Sequence, residues 1–204
     1  MNKKEEIEKI RKEILNLKKS PLYKYRTDNN YFSVIGKGSL DAKIVFVGEA
    51  PGEKEALSGI PFCGRSGKLL DEMLLSVKLS REKIYITNLV NDRPQDNRDP
   101  TKEEIKLYSQ FLDRQLEIIK PKVIIMLGRL SMNYLFEKAG IKQKLESIGE
   151  MHGKIFKTRL SYGEVILLPL YHPAYALYNP NNKKVLFDDF KKVKKFIGDV
   201  GREK

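Results

Sequence analysis

The chain has 204 residues, 41% hydrophobic and 32% charged, without a low-complexity tract, which suits one globular domain with one sizeable core. Lys and Arg number 39 against 27 Asp and Glu; the resulting charge of +12 points to a polyanionic partner, nucleic acid before an anionic membrane, although lysine-rich surfaces also serve solubility or heat adaptation. A single cysteine, Cys63, excludes an internal disulfide and any four-cysteine metal or iron–sulfur site within one chain, and the charged start MNKKEEIEKI has no signal-peptide core. No apolar run approaches the ~18 residues of a membrane span, so a soluble, cytoplasmic protein with no membrane partner is expected.

In chain order, residues 3–18 place Ile7, Ile10, Ile14 and Leu17 on one face, which predicts an amphipathic helix packed on the domain. Residues 19–41, with Ser20-Pro21, Asp28-Asn29-Asn30 and Gly36-Lys37-Gly38, read mostly as loop. A strand over 42–47 leads through a glycine-rich loop into a helix over 67–77, where Leu69, Leu70, Met73, Leu74 and Val77 recur at helical spacing. Residues 84–89 form a second strand that ends at Asn88, and a polar loop follows from Asn91 to Pro100. Thr101 with Glu104 is a capping box, opening a helix that Lys120-Pro121 stops. Residues 123–127 are a third strand, Gly128 breaks it, and 131–137 form a short helix. Residues 145–163 suit a strand pair or an irregular excursion, and His152 within them is assigned to the surface. The fourth strand, 165–170, runs directly into Tyr171-His172-Pro173, and a last helix over 183–197 buries Val185, Leu186, Phe190, Val193 and Ile197.

Continuous apolar strands alternating with helices predict an α/β fold: one three-layer α/β/α domain over residues 1–204, with a central four-stranded, mainly parallel sheet. In such a sheet Glu49-Ala50-Pro51-Gly52, Asn88, Gly128-Arg129 and His172-Pro173 all fall at the carboxyl edge, where ligands bind. A carboxylate, a side-chain amide and an imidazole are the groups needed to orient water, read a polar ring and stabilise a developing anion. Taken singly, each has a plainer reading: the glycines as a tight strand-to-helix turn, Asn88 as a strand-end cap, His172 as a satisfied loop histidine.

Several stretches together resemble the family-4 uracil-DNA glycosylases. They are Gly48-Glu49-Ala50-Pro51-Gly52-Glu53, Gly59-Ile60-Pro61-Phe62, Gly64-Arg65-Ser66-Gly67, Ile86-Thr87-Asn88-Leu89-Val90, Arg93-Pro94, Asn97-Arg98-Asp99-Pro100-Thr101 and His172-Pro173. The similarity runs in order from about Pro21 to about Phe196. It implies a monofunctional glycosylase that hydrolyses the N-glycosidic bond of deoxyuridine in DNA after base flipping and so starts base-excision repair. Broader excision of hypoxanthine or xanthine, or a non-catalytic DNA-binding role, are the alternatives.

The resemblance also implies roles. Glu49 and His172 are catalytic, as water-positioner and as donor to the leaving base. Phe62 is the platform for the flipped base, Asn88 reads its edge, Ala50 adjoins the anion site, and Glu55 lines the wall where the methyl group of thymine would lie. DNA contacts fall to Gly64, Arg65, Ser66, Arg93 and Arg98, with Leu177 as the wedge into the duplex. The partner is uracil-containing DNA, single- or double-stranded, met by a nucleoid-associated monomer. One departure stands out. Family-4 enzymes hold a four-iron cluster on four cysteines, and Leu17, Ser20, Asp92 and Tyr108 occupy those positions here. None ligates iron as a thiolate does, so a cluster-free variant without cofactor is expected, with Leu17 and Tyr108 packing into the vacated space.

Overall fold

The computed structural model describes residues 2–141 and 147–196. The chain opens with helices α1 (Lys3–Leu15) and α2 (Pro21–Asp28), then strand β1 (Lys37–Gly38) and strand β2 (Ile44–Gly48). A short helix α3 (Glu53–Ser58) and helix α4 (Arg65–Ser76) precede β3 (Tyr85–Asn88). Next come α5 (Lys102–Ile119), β4 (Val123–Leu127), α6 (Arg129–Lys138), a single turn α7 (Ile148–Met151), β5 (Phe156–Leu160) and β6 (Gly163–Leu170). A one-turn α8 (Tyr175–Tyr178) and α9 (Lys183–Phe190) close the described chain.

The strands form one sheet in the order β1-β3-β2-β4-β6-β5. The four central strands are parallel, as expected, but the sheet has six strands rather than four, because β1 pairs with β3 and β5 with β6, both antiparallel. Neither edge strand carries an apolar run: β1 is only Lys37-Gly38, and β5 (FKTRL) is largely solvated. Short, charged edges of this kind also discourage pairing with another chain.

The central strands are buried on both faces and mostly apolar; the exceptions are Thr87 in β3, whose hydroxyl donates to the Ile35 carbonyl at 2.7 Å, Asn88 at its end, and the start of β6 at Gly163-Glu164, where Glu164 is exposed. Val45, Val47, Ile124 and Met126 face α1, α5 and α6; Ile44, Phe46, Ile125 and Leu127 face α4 and α9. Helix α4 buries Leu69, Leu70, Met73 and Leu74, the stripe that its spacing predicts. The capping box of α5 is present: Thr101 Oγ1 accepts from the Glu104 amide at 3.2 Å, and Glu104 Oε2 accepts from the Thr101 amide at 2.8 Å. Lys120 ends that helix in the left-handed region, at φ 55°.

Several boundaries differ from expectation. Helix α1 stops at Leu15, and the predicted loop over 19–41 contains α2, started by a Ser20 cap and Pro21. A Ser-Pro pair opens a helix as readily as a turn, since proline suits the first helical position. Of the two alternatives for residues 145–163 the strand pair is the one found: α7 is followed by β5, which turns at 161–162 into β6 (Gly163–Leu170), longer than the expected 165–170; 145 and 146 lie outside the described residues. Helix α9 ends at Phe190 and gives way to a 3-10 turn, Lys191–Val193; Ile197 lies outside the described residues. Among the described residues no helix is long and apolar enough to cross a membrane.

Candidate active site

Strand β2 is where the winding of the sheet reverses, with β3 on one side and β4 on the other. A crevice is expected beyond its carboxyl end. A cleft of about 620 Å³ opens there. Every residue singled out from the sequence except Arg93 lines it: Glu49 and Ala50 after β2, Glu55 on α3, Phe62, Gly64, Arg65 and Ser66 at the start of α4, Asn88 at the end of β3, Arg98, His172 after β6, and Leu177 on α8.

The floor is built around Gly48. In the parallel β2–β3 register Gly48 sits beside Asn88, and a Cβ on Gly48 would lie 2.8 Å from the Phe62 ring and closer still to the Asn88 side chain. Only glycine lets the ring and the amide lie across the strand end together. Asn88 is 2% exposed, and among the described residues nothing hydrogen-bonds its side chain. Its amide is not one of the fully enclosed unpaired groups but opens onto the cleft, where a ligand can supply the bonds that the protein does not.

Phe62 itself is held in an uncommon backbone state, φ 51°. A bulky side chain at positive φ is strained, and surrounding bonds must enforce it. Arg81 does so: its guanidinium donates to the carbonyls of Phe62 at 2.6 Å, Pro61 at 3.2 Å and Gly67 at 3.2 Å, and pairs with Asp71 at 2.5 Å. Sequence reading missed Arg81, which lies 19 residues from Phe62 and in no motif. Glu55, also buried, accepts the Gly64 amide at 2.7 Å, and Gly52 and Gly64 leave room for its carboxylate.

Glu49 accepts the Leu130 amide at 2.9 Å, at the amino end of α6. The carboxylate thereby caps a helix whose own cap residue, Gly128, has no side chain and takes φ 105°. Burial pushes the Glu49 carboxyl above its usual 4.5, and the nearby Asp99 adds to this; the Leu130 and Arg129 amides and the Arg129 side chain pull it back. His172 is driven down to about 4 by burial, so the ring is neutral at physiological pH. Its Nδ1 accepts the Ala174 amide at 3.1 Å. The proton of the neutral ring therefore sits on Nε2, which makes that nitrogen a donor. The ring lies 5.5 Å from the Phe62 ring, centroid to centroid.

The structure revises the surroundings of three residues read from the sequence, Arg93, Arg98 and His152. Arg93 does not face the cleft: it is 7% exposed and donates to Tyr31 Oη at 2.8 Å and Asn97 Oδ1 at 3.0 Å, so it braces its loop. Arg98 does line the cleft, but its guanidinium grips Glu104 through two bonds of 2.9 and 2.6 Å. His152 is not a plain surface residue. It bonds Asp189 and stacks at 4.5 Å on Tyr171, which stacks at 4.3 Å on Tyr175 at the cleft mouth. Leu177 is 39% exposed, and the neighbouring Tyr178, not anticipated, is 90% exposed on the same rim.

The model of the uracil DNA glycosylase superfamily matches residues 35–197. A type-4 uracil-DNA glycosylase of Sulfurisphaera tokodaii is 46% identical over 92% of this chain and 83% of its own length. Similar proteins of the same name from Archaeoglobus fulgidus and Thermotoga maritima are 42% and 39% identical, over 95% and 89% of this chain and 94% and 89% of theirs.

Two substitutions test this geometry through stability. A carboxyl whose folded value is raised contributes its stability below the unfolded value and loses it as pH rises through the folded value. Glu49→Gln is therefore expected to raise the melting midpoint at pH 7 relative to the parent, with the gain vanishing near pH 4; an equal shift at both pH values contradicts a buried, ionised Glu49. Arg81→Ala removes the clamp on Phe62 and is expected to cost about 1–3 kcal/mol in denaturant titration. An unchanged midpoint means that other contacts hold the Phe62 turn.

Proposed function

The chain belongs to the uracil DNA glycosylase superfamily, in its type-4 branch, and from that membership and the cleft geometry we propose that it excises uracil from DNA and starts base-excision repair. The observation that carries the reading is the unpaired Asn88 amide, which opens onto the cleft beside the Phe62 ring. A flipped pyrimidine stacks on the ring and completes the hydrogen bonds of the amide at its O4 and N3–H edge. Cytosine presents the reversed donor and acceptor order there, so a fixed amide rejects it. Glu55 closes the wall on the side where thymine carries its methyl group.

In the reaction the C1′–N1 bond breaks, its electron pair leaves with the base, and positive character develops on the sugar. Neutral His172 donates from Nε2 to O2 of the departing uracil anion, with no charge of its own to neutralise. Glu49, ionised, holds the attacking water, stabilises the sugar cation and takes the proton as the new O–C1′ bond forms. Water ends on the sugar and the base leaves as neutral uracil after protonation, so the product is an abasic site with the strand intact. These steps use protein groups alone.

Arg65, Ser66 and the amides at the start of α4 grip phosphate, and the charge of +12 draws the polyanion in. Leu177 on the exposed rim enters the stack that the base has left. The enzyme acts as a monomer in the cytoplasm, at the nucleoid, on single- or double-stranded DNA.

Oligonucleotides containing uracil, hypoxanthine or thymine, incubated with protein and then cleaved at abasic sites by alkali, test the reading. Release from uracil alone is expected, with His172→Ala slower by about 100–1,000-fold in kcat. Release from hypoxanthine at a comparable rate makes the pocket broader than proposed, and binding without release removes the enzyme. The pH profile should show an acid limb. Glu49 must be ionised and its carboxyl lies above 4.5, whereas His172 stays neutral down to about 4, so activity falls with pH through Glu49 first. A limb unchanged in Glu49→Gln assigns it elsewhere. Leu177→Ala should impair excision from duplex by about tenfold more than from single strands, because only duplex has a stack to fill. Equal losses on both remove the wedge role.

A further inference from the structure

The four positions at which the resemblance implies iron ligands, Leu17 and Ser20, Asp92 and Tyr108, meet in space although they come from three separate stretches of sequence. Tyr108 Oη lies 2.6 Å from Asp92 Oδ2 and 3.0 Å from Ser20 Oγ, and the Ser20 amide donates to the Leu17 carbonyl at 2.9 Å. Leu17 packs in the same core cluster as Tyr108. An alkyl group, a hydroxyl, a carboxylate and a phenol offer no thiolate, and the polar atoms among them are committed to one another, so these residues do not fit a four-iron cluster.

Asp92 is fully buried and sits at the centre. Its Oδ1 accepts from the Ser33 hydroxyl, and its Oδ2 accepts from Arg26 Nε at 3.1 Å as well as from Tyr108. Arg26 is itself buried and reaches on to the Leu15 carbonyl at the end of α1 with a 2.8 Å bond. One carboxylate thus joins α1, α2, the segment at Ser33 and α5. Its neighbours are held in the same way: Asn91 exchanges bonds of 2.8 and 3.0 Å with the backbone of Val34, and Arg93 grips Tyr31. This segment starts three residues after Asn88 and carries Pro94, Asn97 and Arg98 to the cleft.

We propose that the Asp92–Arg26–Tyr108 knot is a metal-independent staple that fixes the 91–98 segment against the amino-terminal helices, tying together the same stretches that four iron-bound thiolates would tie. The consequence for DNA binding rests on the glycosylase reading; the staple itself does not. Removing the carboxylate leaves a buried guanidinium and two hydroxyls without their acceptor, a loss far larger than that of a surface pair.

Asp92→Ala, the milder Asp92→Asn and Tyr108→Phe, made in the full chain, test this alongside iron analysis of the parent protein. Expected results are substoichiometric iron, a melting midpoint unaffected by chelator, and a fall of about 10 °C in Asp92→Ala against about 3 °C in Tyr108→Phe. Amide exchange should quicken by about tenfold or more within residues 89–98, well beyond the change in the central strands. On uracil-containing oligonucleotide KM should rise by about tenfold while kcat changes by less than about threefold. Stoichiometric iron overturns the proposal, as does a midpoint unchanged in Asp92→Ala or exchange that quickens evenly over the whole sheet. Should Asp92→Ala fail to fold, Asp92→Asn and Tyr108→Phe give the same exchange readout. The iron, melting and exchange results decide the staple even where the parent protein releases no uracil, an outcome that overturns only the preceding functional reading.

Discussion

The cleft depends first on the register between β2 and β3. Parallel pairing sets Gly48 beside Asn88, and the bonds from the Leu89 amide to the Gly48 carbonyl (3.0 Å) and from the Val90 amide to the Glu49 carbonyl (2.9 Å) carry it past the last residue of each strand. Glu49 and Asn88 therefore emerge from neighbouring strand ends as a rigid pair. A slip of one residue would turn both side chains to the opposite face and move a residue with a Cβ under the Phe62 ring. The long apolar strands forbid that slip, because it would also exchange the contents of the two core layers. Precision at the site is inherited from burial elsewhere.

Against that rigid frame the site itself is costly. The Asn88 amide has no partner among the described residues, Phe62 sits at positive φ, Glu49 is pushed toward its neutral form and His172 is kept from charging. The backbone of Phe62 costs about 1–3 kcal/mol; the raised Glu49 carboxyl costs stability once it ionises, and the lowered His172 ring only as pH falls below the free imidazole range. They are tolerated because other bonds over-determine them: the Arg81 fork at Phe62, the amino end of α6 at Glu49, the Ala174 amide at His172. Strain of this kind gathers where a protein prepares for a ligand, since binding relieves what folding could not.

The central strands, α4 and α5 were legible because their signals are local: apolar runs, helical spacing, a capping box, a lysine-proline stop. The candidate site was legible because parallel topology turns four strand ends into one edge. Illegible were features whose partners are distant in sequence or too short to show a period. Edge strand β1 has two residues, and the alternating charges of β5 left a strand pair and an irregular excursion equally open. Helix α2 was hidden by a Ser-Pro pair that serves turns and helix starts alike. Arg93 looked like a phosphate ligand, and only the fold reveals that Tyr31 and Asn97 occupy its donors. Asp92 and Tyr108 were read as simple replacements of cysteines; their mutual bond, and the arrival of Arg26 and Ser33, could not be inferred from spacing.

The charge distribution shows the same division of labour. The chain carries +12 overall, yet Glu49, Glu53, Glu55 and Asp99 line the cleft. A polyanion and a carboxylate-lined pocket are compatible because the two act over different distances. Screening limits an exposed charge to about 8 Å at physiological ionic strength, so the net positive charge acts on a polyanion over the whole surface while each cleft carboxylate acts only on its near neighbours. In the proposed reaction the half-buried Glu49 carboxylate acts at short range on the one species of opposite sign, the sugar cation. A cationic pocket would bind the DNA more tightly but oppose that cation. A basic surface around a cleft that carries Glu49 and Glu55 suits both attraction to the polymer and stabilisation of a cation in the proposed reaction.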